Sequence, residues 1–135
     1  MKTVSHFAES ATKKNILKNN AEFKMITFTL PKSVSLNTLL RQHWSKRSRE
    51  QKQMNDTVFA LAWAAGWRRE QCRRVKIIFL GSRMDYDNAI GGSKPILDAL
   101  WRNDIIPGDS PKQIGLEYAF EDEGEGVRIE LEVVK

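Results

Sequence analysis

From about residue 23 onward, apolar and polar positions divide the chain into segments of two different periods. FKMITFTL, Phe23–Leu30, is rich in β-branched and aromatic residues and stops at Pro31, which predicts a first strand. SVSLNTLLRQHW follows as an irregular or partly helical connection. From about Lys46 to Ala65 the apolar residues Met54, Val58, Leu61 and Ala65 recur at spacings of three or four, the period of a helix, and Gly66 supplies a stop. Trp63 and Trp67, four apart, are expected to pack in the core. VKIIFL, Val75–Leu80, is continuously apolar and so predicts a strand covered on both faces.

Ser93-Lys94-Pro95 places a capping serine before a proline in the first turn of a second helix, whose apolar face is Ile96, Leu97, Leu100 and Trp101. PGDSP, Pro107–Pro111, is a turn. Ile114, Leu116, Tyr118 and Phe120 then alternate with polar residues, as do Val127, Ile129, Leu131 and Val133. EDEGEG between the two runs predicts an antiparallel hairpin. The expected fold is α+β: a single compact domain of order β-α-β-α-β-β, a mixed sheet packed against two main helices. It spans residues 23–135, and residues 1–22 form a polar N-terminal arm with only weak periodicity.

Composition adds limits. With 135 residues, 41% apolar and 29% charged, the chain is large enough for a core without staples. No apolar run approaches the roughly 20 residues of a membrane span, so no membrane partner is expected. MKTVSHFAESATKKN lacks the apolar centre of a secretory signal, and the single cysteine, Cys72, excludes an internal disulfide or a cysteine-based zinc cluster. A cytoplasmic location is therefore expected, with Cys72 a buried or half-buried thiol. The formal charge is +5, unevenly spread. Arg41, Lys46, Arg47, Arg49 and Lys52 make one basic group, and Arg68, Arg69, Arg73, Arg74 and Lys76 a second, while acids gather toward the C-terminal half. Such an arrangement suits binding a polyanion while holding a cation, and equally suits solvated helix faces.

The candidate chemistry lies in MDYDNAIGGSKPILDALWRNDIIPGDS, which holds Asp85, Asp87, Asp98, Asp104 and Asp109. Gathered carboxylates repel unless a cation or a shared proton relieves them. In extended chain, Asp85 and Asp87 would point the same way, roughly 6–7 Å apart. That suits a magnesium ion, which takes oxygen ligands and keeps waters and substrate phosphate. It equally suits a turn whose aspartates accept backbone hydrogen bonds. Asp98 is spaced to pair with Lys94 at i, i+4, and Asp104 sits at the helix exit. Neither His6 nor His43 has a metal-ligand partner at recognisable spacing, which disfavours zinc.

The order of these pieces resembles the RusA family of Holliday junction resolvases. The matching residues are Asp85-Tyr86-Asp87-Asn88, Lys94-Pro95-Ile96-Leu97-Asp98-Ala99-Leu100, Asn103-Asp104-Ile105-Ile106 and Asp109-Ser110, with LPKSVSLNTLLRQHW similar to the family's opening strand and loop. The likeness covers about Phe23 to Val134. It implies a RusA-like fold and a homodimeric, magnesium-dependent endodeoxyribonuclease, of the kind phages or prophages encode, that cuts branched DNA such as four-way junctions. Manganese would be the substitute ion. By motif position the metal-binding and catalytic aspartates fall on Asp85, Asp87 and Asp109, and the catalytic lysine on Lys94. Arg41, Lys46, Arg47, Arg49, Arg68, Arg69, Arg73, Arg74 and Arg83 are the candidate DNA contacts.

Two departures stand out. Gly91-Gly92-Ser93 is extra length before Lys94, and Gly108 stands where an acid often precedes the third aspartate. The competing expectations are a catalytically inactive branched-DNA-binding module of the same fold, and a metal-dependent RNA or nucleotide hydrolase.

Overall fold

A computed structural model of the chain describes residues 23–32 and 34–134. The polar segment 1–22 lies outside the described residues. The strands are β1 (Phe23–Leu30), β2 (Cys72–Leu80), β3 (Gly115–Glu121) and β4 (Gly126–Val134). The helices are α1 (Leu36–Arg41), α2 (Trp44–Ala64), α3 (Tyr86–Gly91) and α4 (Lys94–Arg102), so each helical region of the chain is split into a short and a longer helix. The whole is an α+β domain on a mixed four-stranded sheet of order β1-β4-β2-β3. β4 runs antiparallel to both β1 and β2, and β2 runs parallel to β3.

The breaks between helices have local causes. Ser35 caps α1 by accepting from the Thr38 N–H, and His43 restarts the chain as α2 by accepting from Ser45. Gly66 takes φ +109, a conformation that stops α2 where the sequence suggests. Val58 and Ala62 of α2 and Ile96, Leu97, Ala99 and Leu100 of α4 pack on one face of the sheet, against Ile26, Phe28, Leu30, Val75, Ile77, Phe79, Val127, Ile129, Leu131 and Val133.

Three expectations are corrected. β3 and β4 do not form a hairpin, because β2 lies between them and pairs with both. The connection from Glu121 to Gly126 instead crosses the end of β2, where the Gly81 N–H donates to the Glu121 carbonyl. Gly81 has φ +58 there, and a Cβ would overlap the Gly124 carbonyl oxygen.

Nor is the second face of β2 covered along its whole length, since Arg74, Lys76 and Leu80 are only half-buried there. That face carries Arg74 and Lys76, in register with Glu132 and Glu130 of β4 and Glu117 of β3. Ion pairs knit this face: Arg74–Glu132 at 3.3 Å, Lys76–Glu117 at 3.6 Å, and Arg128 with both Glu121 and Glu130. Ile78 is fully buried within this charged face, level with Arg128 and Ala119.

The third correction concerns the tryptophans. Trp67 is in the core with its indole N–H donating to the Glu70 carbonyl, whereas Trp63 is 38% exposed, stacked with Phe59 and with the Arg68 guanidinium 4.2 Å from its ring.

Candidate functional site

β2 ends at Leu80, and the chain then turns through Ser82–Met84 into α3. Asp85 is the N-cap of that helix, its carboxylate accepting from the Asn88 N–H at 3.0 Å. Tyr86 and Asp87 are already helical. The pair is therefore not in extended chain, and the side chains two apart diverge around a helix instead of pointing the same way. Both carboxylates are exposed. The negative charge of Asp87 in the first turn also complements the helix dipole.

Gly91-Gly92-Ser93 forms the close of α3 and the joint to α4. A Cβ on Gly92 would overlap the Val34 carbonyl oxygen, so the double glycine lets this joint press against the segment leading into α1. Ser93 precedes α4 as expected but does not cap it with its side chain. Its hydroxyl donates to the Ile90 carbonyl at 2.6 Å and shares a 2.8 Å hydrogen bond with the Tyr118 hydroxyl of β3. These three residues are thus part of packed structure.

Lys94 opens α4. Its ammonium reaches Asp109 at 2.9 Å and Asp98 at 3.0 Å. The hydrogen bond to Asp109, then that to Asp98, raises the Lys94 pKa above its ordinary value. The same hydrogen bond from Lys94 lowers that of Asp109. Lys94 and Asp109 are about half exposed and Asp98 about a third, so the pairs are worth no more than about 1 kcal/mol each. Gly108, beside Asp109, is buried under Gln113, and any side chain there would displace that glutamine.

The structure therefore brings Lys94, Asp98 and Asp109 together, with Asp98 a member the motif had left to a helix pair. Among the described residues no three His, Cys, Asp or Glu side chains are close enough to hold a metal ion. Asp104 takes φ +58 at the helix exit, in the local turn role expected of it.

The candidate DNA contacts separate. Arg41 ends α1, and Lys46, Arg47 and Arg49 are exposed on the first turns of α2. Arg68, Arg69 and Arg73 lie beyond its other end, about 30 Å along the axis of a 21-residue helix. Arg68 is held by the Trp63 and Trp67 carbonyls and stacks 4.2 Å from the Trp63 ring. Arg74 is committed to Glu132 on the sheet's outer face. Arg83 lines an open cavity of about 430 Å³ with Lys32, Leu80, Met84 and Glu125, at the end of β2 just before Asp85.

The first basic group is the one attached to the acidic stretch. α1 packs against α3, and α2 meets α4 where the Gln51 amide donates to the Pro95 carbonyl at 3.0 Å, one residue from Lys94. Sequence reasoning passed over Lys32 and Trp44. The signal for Trp44 was its setting, a tryptophan inside RQHWSKRSR.

Cys72 is buried, and burial pushes its thiol up to about 11, leaving it inert as a nucleophile. No helix among the described residues is long and apolar enough to cross a membrane. Compared with known protein families and with curated proteins, the chain matches none.

Proposed function

We propose that this protein is a magnesium-dependent, structure-selective endodeoxyribonuclease acting on branched DNA, and that it works as a homodimer. The observation that carries the reading is the meeting of Lys94 with Asp109. The two are fifteen residues apart and on different elements, yet the lysine and the third aspartate of the motif lie 2.9 Å apart despite the Gly91-Gly92-Ser93 insertion. Asp85 caps, and Asp87 lies in, the short helix that feeds directly into α4.

The donor set is hard carboxylate oxygen, which suits magnesium and its habit of taking one or two carboxylates plus waters and phosphate. Asp85, Asp87 and Asp109 are the residues the motif points to for holding it, and their side chains, which do not converge as they stand, would have to close on the ion when it binds. The ion would supply charge neutralisation at the phosphoryl oxygens and a water of lowered pKa.

The chain's own groups do the positioning. Asp109 and Asp98 keep Lys94 charged and aimed, so that its ammonium is poised for a phosphate oxygen. Asp85 anchors the first turn of α3 and so fixes where Asp87 stands. Arg83 and Lys32 line the neighbouring cavity and offer cations to the phosphates that flank the cut. The basic start of α2 supplies sequence-independent grip that weakens steeply with salt. A two-fold dimer would present two such sites to the two-fold symmetry of a four-way junction.

Protein, magnesium and an end-labelled synthetic junction test this directly. Nicking near the branch is expected, absent with EDTA and absent in Asp87→Asn. That variant should bind the junction as tightly as the parent or more so, because it removes negative charge facing phosphate. An Asp87→Asn protein that cuts normally refutes the assignment.

One observation favours a second reading, a non-catalytic branched-DNA-binding module. The Asp109 carboxylate is neutralised by Lys94, and Asp85 is engaged as a helix cap. Junction binding without nicking at any magnesium concentration would select it.

A further inference from the structure

Two large apolar side chains stand in solvent where α1 passes into α2. Leu40 is 70% exposed and Trp44 73% exposed. Indoles this exposed are uncommon on a soluble surface and mark recognition more often than packing. Here the setting is strongly cationic. Between Leu36 and Glu50 there are four cations, Arg41, Lys46, Arg47 and Arg49, against one carboxylate, Glu50. That carboxylate is occupied by the Gln42 amide at 2.8 Å and lies 4.0 Å from Lys46.

Trp44 also has a defined place on the helix. It is the first residue of a 21-residue helix, and its neighbour His43 lies ring to ring at 5.6 Å while capping that helix. Seven residues separate Trp44 from Gln51, close to two full turns, so the two share a face of α2. Gln51 is the residue that bonds the Pro95 carbonyl beside Lys94. The indole therefore projects on the α2 face that leads to the lysine, about 10 Å along the axis from that junction.

We infer that Leu40 and Trp44 form an apolar probe that stacks on, or inserts between, unpaired or unstacked bases, with Arg41 and Arg47 holding the adjoining phosphates. The inference rests on the nucleic-acid reading above and adds what that reading lacks, a means of recognising the branch itself. Branch points expose base faces that a continuous duplex conceals, and aromatic stacking is tolerant of sequence.

Charge decides against the other occupants. A two-fold contact between copies would set this patch against itself, four cations facing four cations across the axis. A membrane anchor needs a continuous apolar helix face, whereas α2 follows Trp44 with Ser45-Lys46-Arg47-Ser48-Arg49-Glu50.

The test is equilibrium binding in EDTA of the full chain to fluorescein-labelled oligo(dT) and to a four-way junction carrying 2-aminopurine at the branch. Stacking on one base corresponds to an affinity loss of about 5- to 150-fold on truncation. Trp44→Ala should lose that much for oligo(dT), abolish the 2-aminopurine response and leave the salt dependence unchanged. Trp44→Phe should keep most of the affinity while losing the quench of tryptophan emission. Arg47→Ala should instead flatten the salt dependence by about one counterion. Thermal melting of Trp44→Ala should match the parent, as suits so exposed a side chain.

Equal oligo(dT) binding by Trp44→Ala and the parent overturns the probe while leaving DNA binding in place. Equal binding together with a loss of self-association in sedimentation, or of binding to phosphatidylserine vesicles, overturns it in favour of those occupants. A parent protein that binds neither DNA overturns both this inference and the function on which it rests. The expected pattern with no magnesium-dependent nicking upholds the probe and defeats only the nuclease.

Discussion

Ser93→Ala removes a hydroxyl at the joint that delivers Lys94 to Asp109. Ser93 is 1% exposed, and its one proton is given to the Ile90 carbonyl, so in the 2.8 Å contact the Tyr118 hydroxyl is the donor. Ile90 keeps a second donor in the Ser93 backbone N–H at 3.1 Å. The loss therefore falls on Tyr118, whose half-buried hydroxyl is left without its acceptor. Orphaning such a group costs about 1–3 kcal/mol, and partial access to water puts this case near 1–2. Tyr118→Phe alone leaves Ser93 its bond to Ile90 and should cost about 0.5–1 kcal/mol. In the double variant there is no orphan, so the combined loss should fall short of the sum by roughly 1 kcal/mol. Urea unfolding of the four proteins, followed by far-UV circular dichroism at constant m, reads these differences. Strict additivity, or a Ser93→Ala protein within about 0.3 kcal/mol of the parent, would refute the argument.

Other outcomes follow from the same geometry. Asp85→Asn should keep the stability of α3, since asparagine caps as well as aspartate, whereas Asp85→Ala should lose about 1 kcal/mol; loss of nicking in the asparagine variant then isolates the carboxylate, and normal nicking there removes Asp85 from the metal set. Lys94→Met should cost about 1 kcal/mol or less near neutrality. Because pairing lowers the Asp109 pKa from 3.8, its share of that difference is present above pH 4 and vanishes as pH falls through the depressed value. Because pairing raises the Lys94 pKa from 10.5, the lysine's share is full below that value and vanishes as pH climbs through the raised one. Melting temperatures of the two proteins across pH should therefore differ in mid-range and converge at both extremes. Cys72, buried and with its thiol at about 11, should resist a thiol-specific disulfide reagent at pH 8 until denaturant opens the core; rapid labelling of native protein would contradict the burial.

Much of the layout is legible in the chain, because period and punctuation are local. The β-branched run ending at Pro31, the stop at Gly66 and the two alternating C-terminal runs each fix an element without reference to anything distant. Pairing is not local. Nothing in EDEGEG distinguishes a tight hairpin from a loop that steps over a third strand, since the partner of both runs is a segment more than forty residues upstream. The outer face of the sheet is hidden in the sequence for a different reason. In RRVKIIFL the apolar residues run together, and only the neighbours Glu117, Arg128, Glu130 and Glu132 reveal that Arg74 and Lys76 face a charged layer.

The candidate site divides in the same way. The Lys94–Asp98 pair follows from helical spacing and is present at 3.0 Å. The approach of Asp109 to Lys94 depends on how the chain returns after α4, which no spacing reports. Asp85 shows the limit from the other side. Asp-x-Asp-Asn carries a helix-capping signal as well as a metal-ligand one, and the helix that forms over Tyr86–Gly91 uses the first.

The position of β4 also governs how this sheet can be assembled. Among the described residues β1 pairs with β4 alone, and β4 in turn pairs with β2, so the latest of these four strands to be synthesised is an interior one. Until it arrives, β1 has no strand partner and the nascent β2 presents one long edge of unsatisfied amides and carbonyls. A chain halted before Gly126 would therefore hold β1 to the rest only through α2 and the Lys24–Glu70 pair, with sticky strand edges open to chaperones or aggregation, and synthesis of the nine residues of β4 would close the sheet in a single late step.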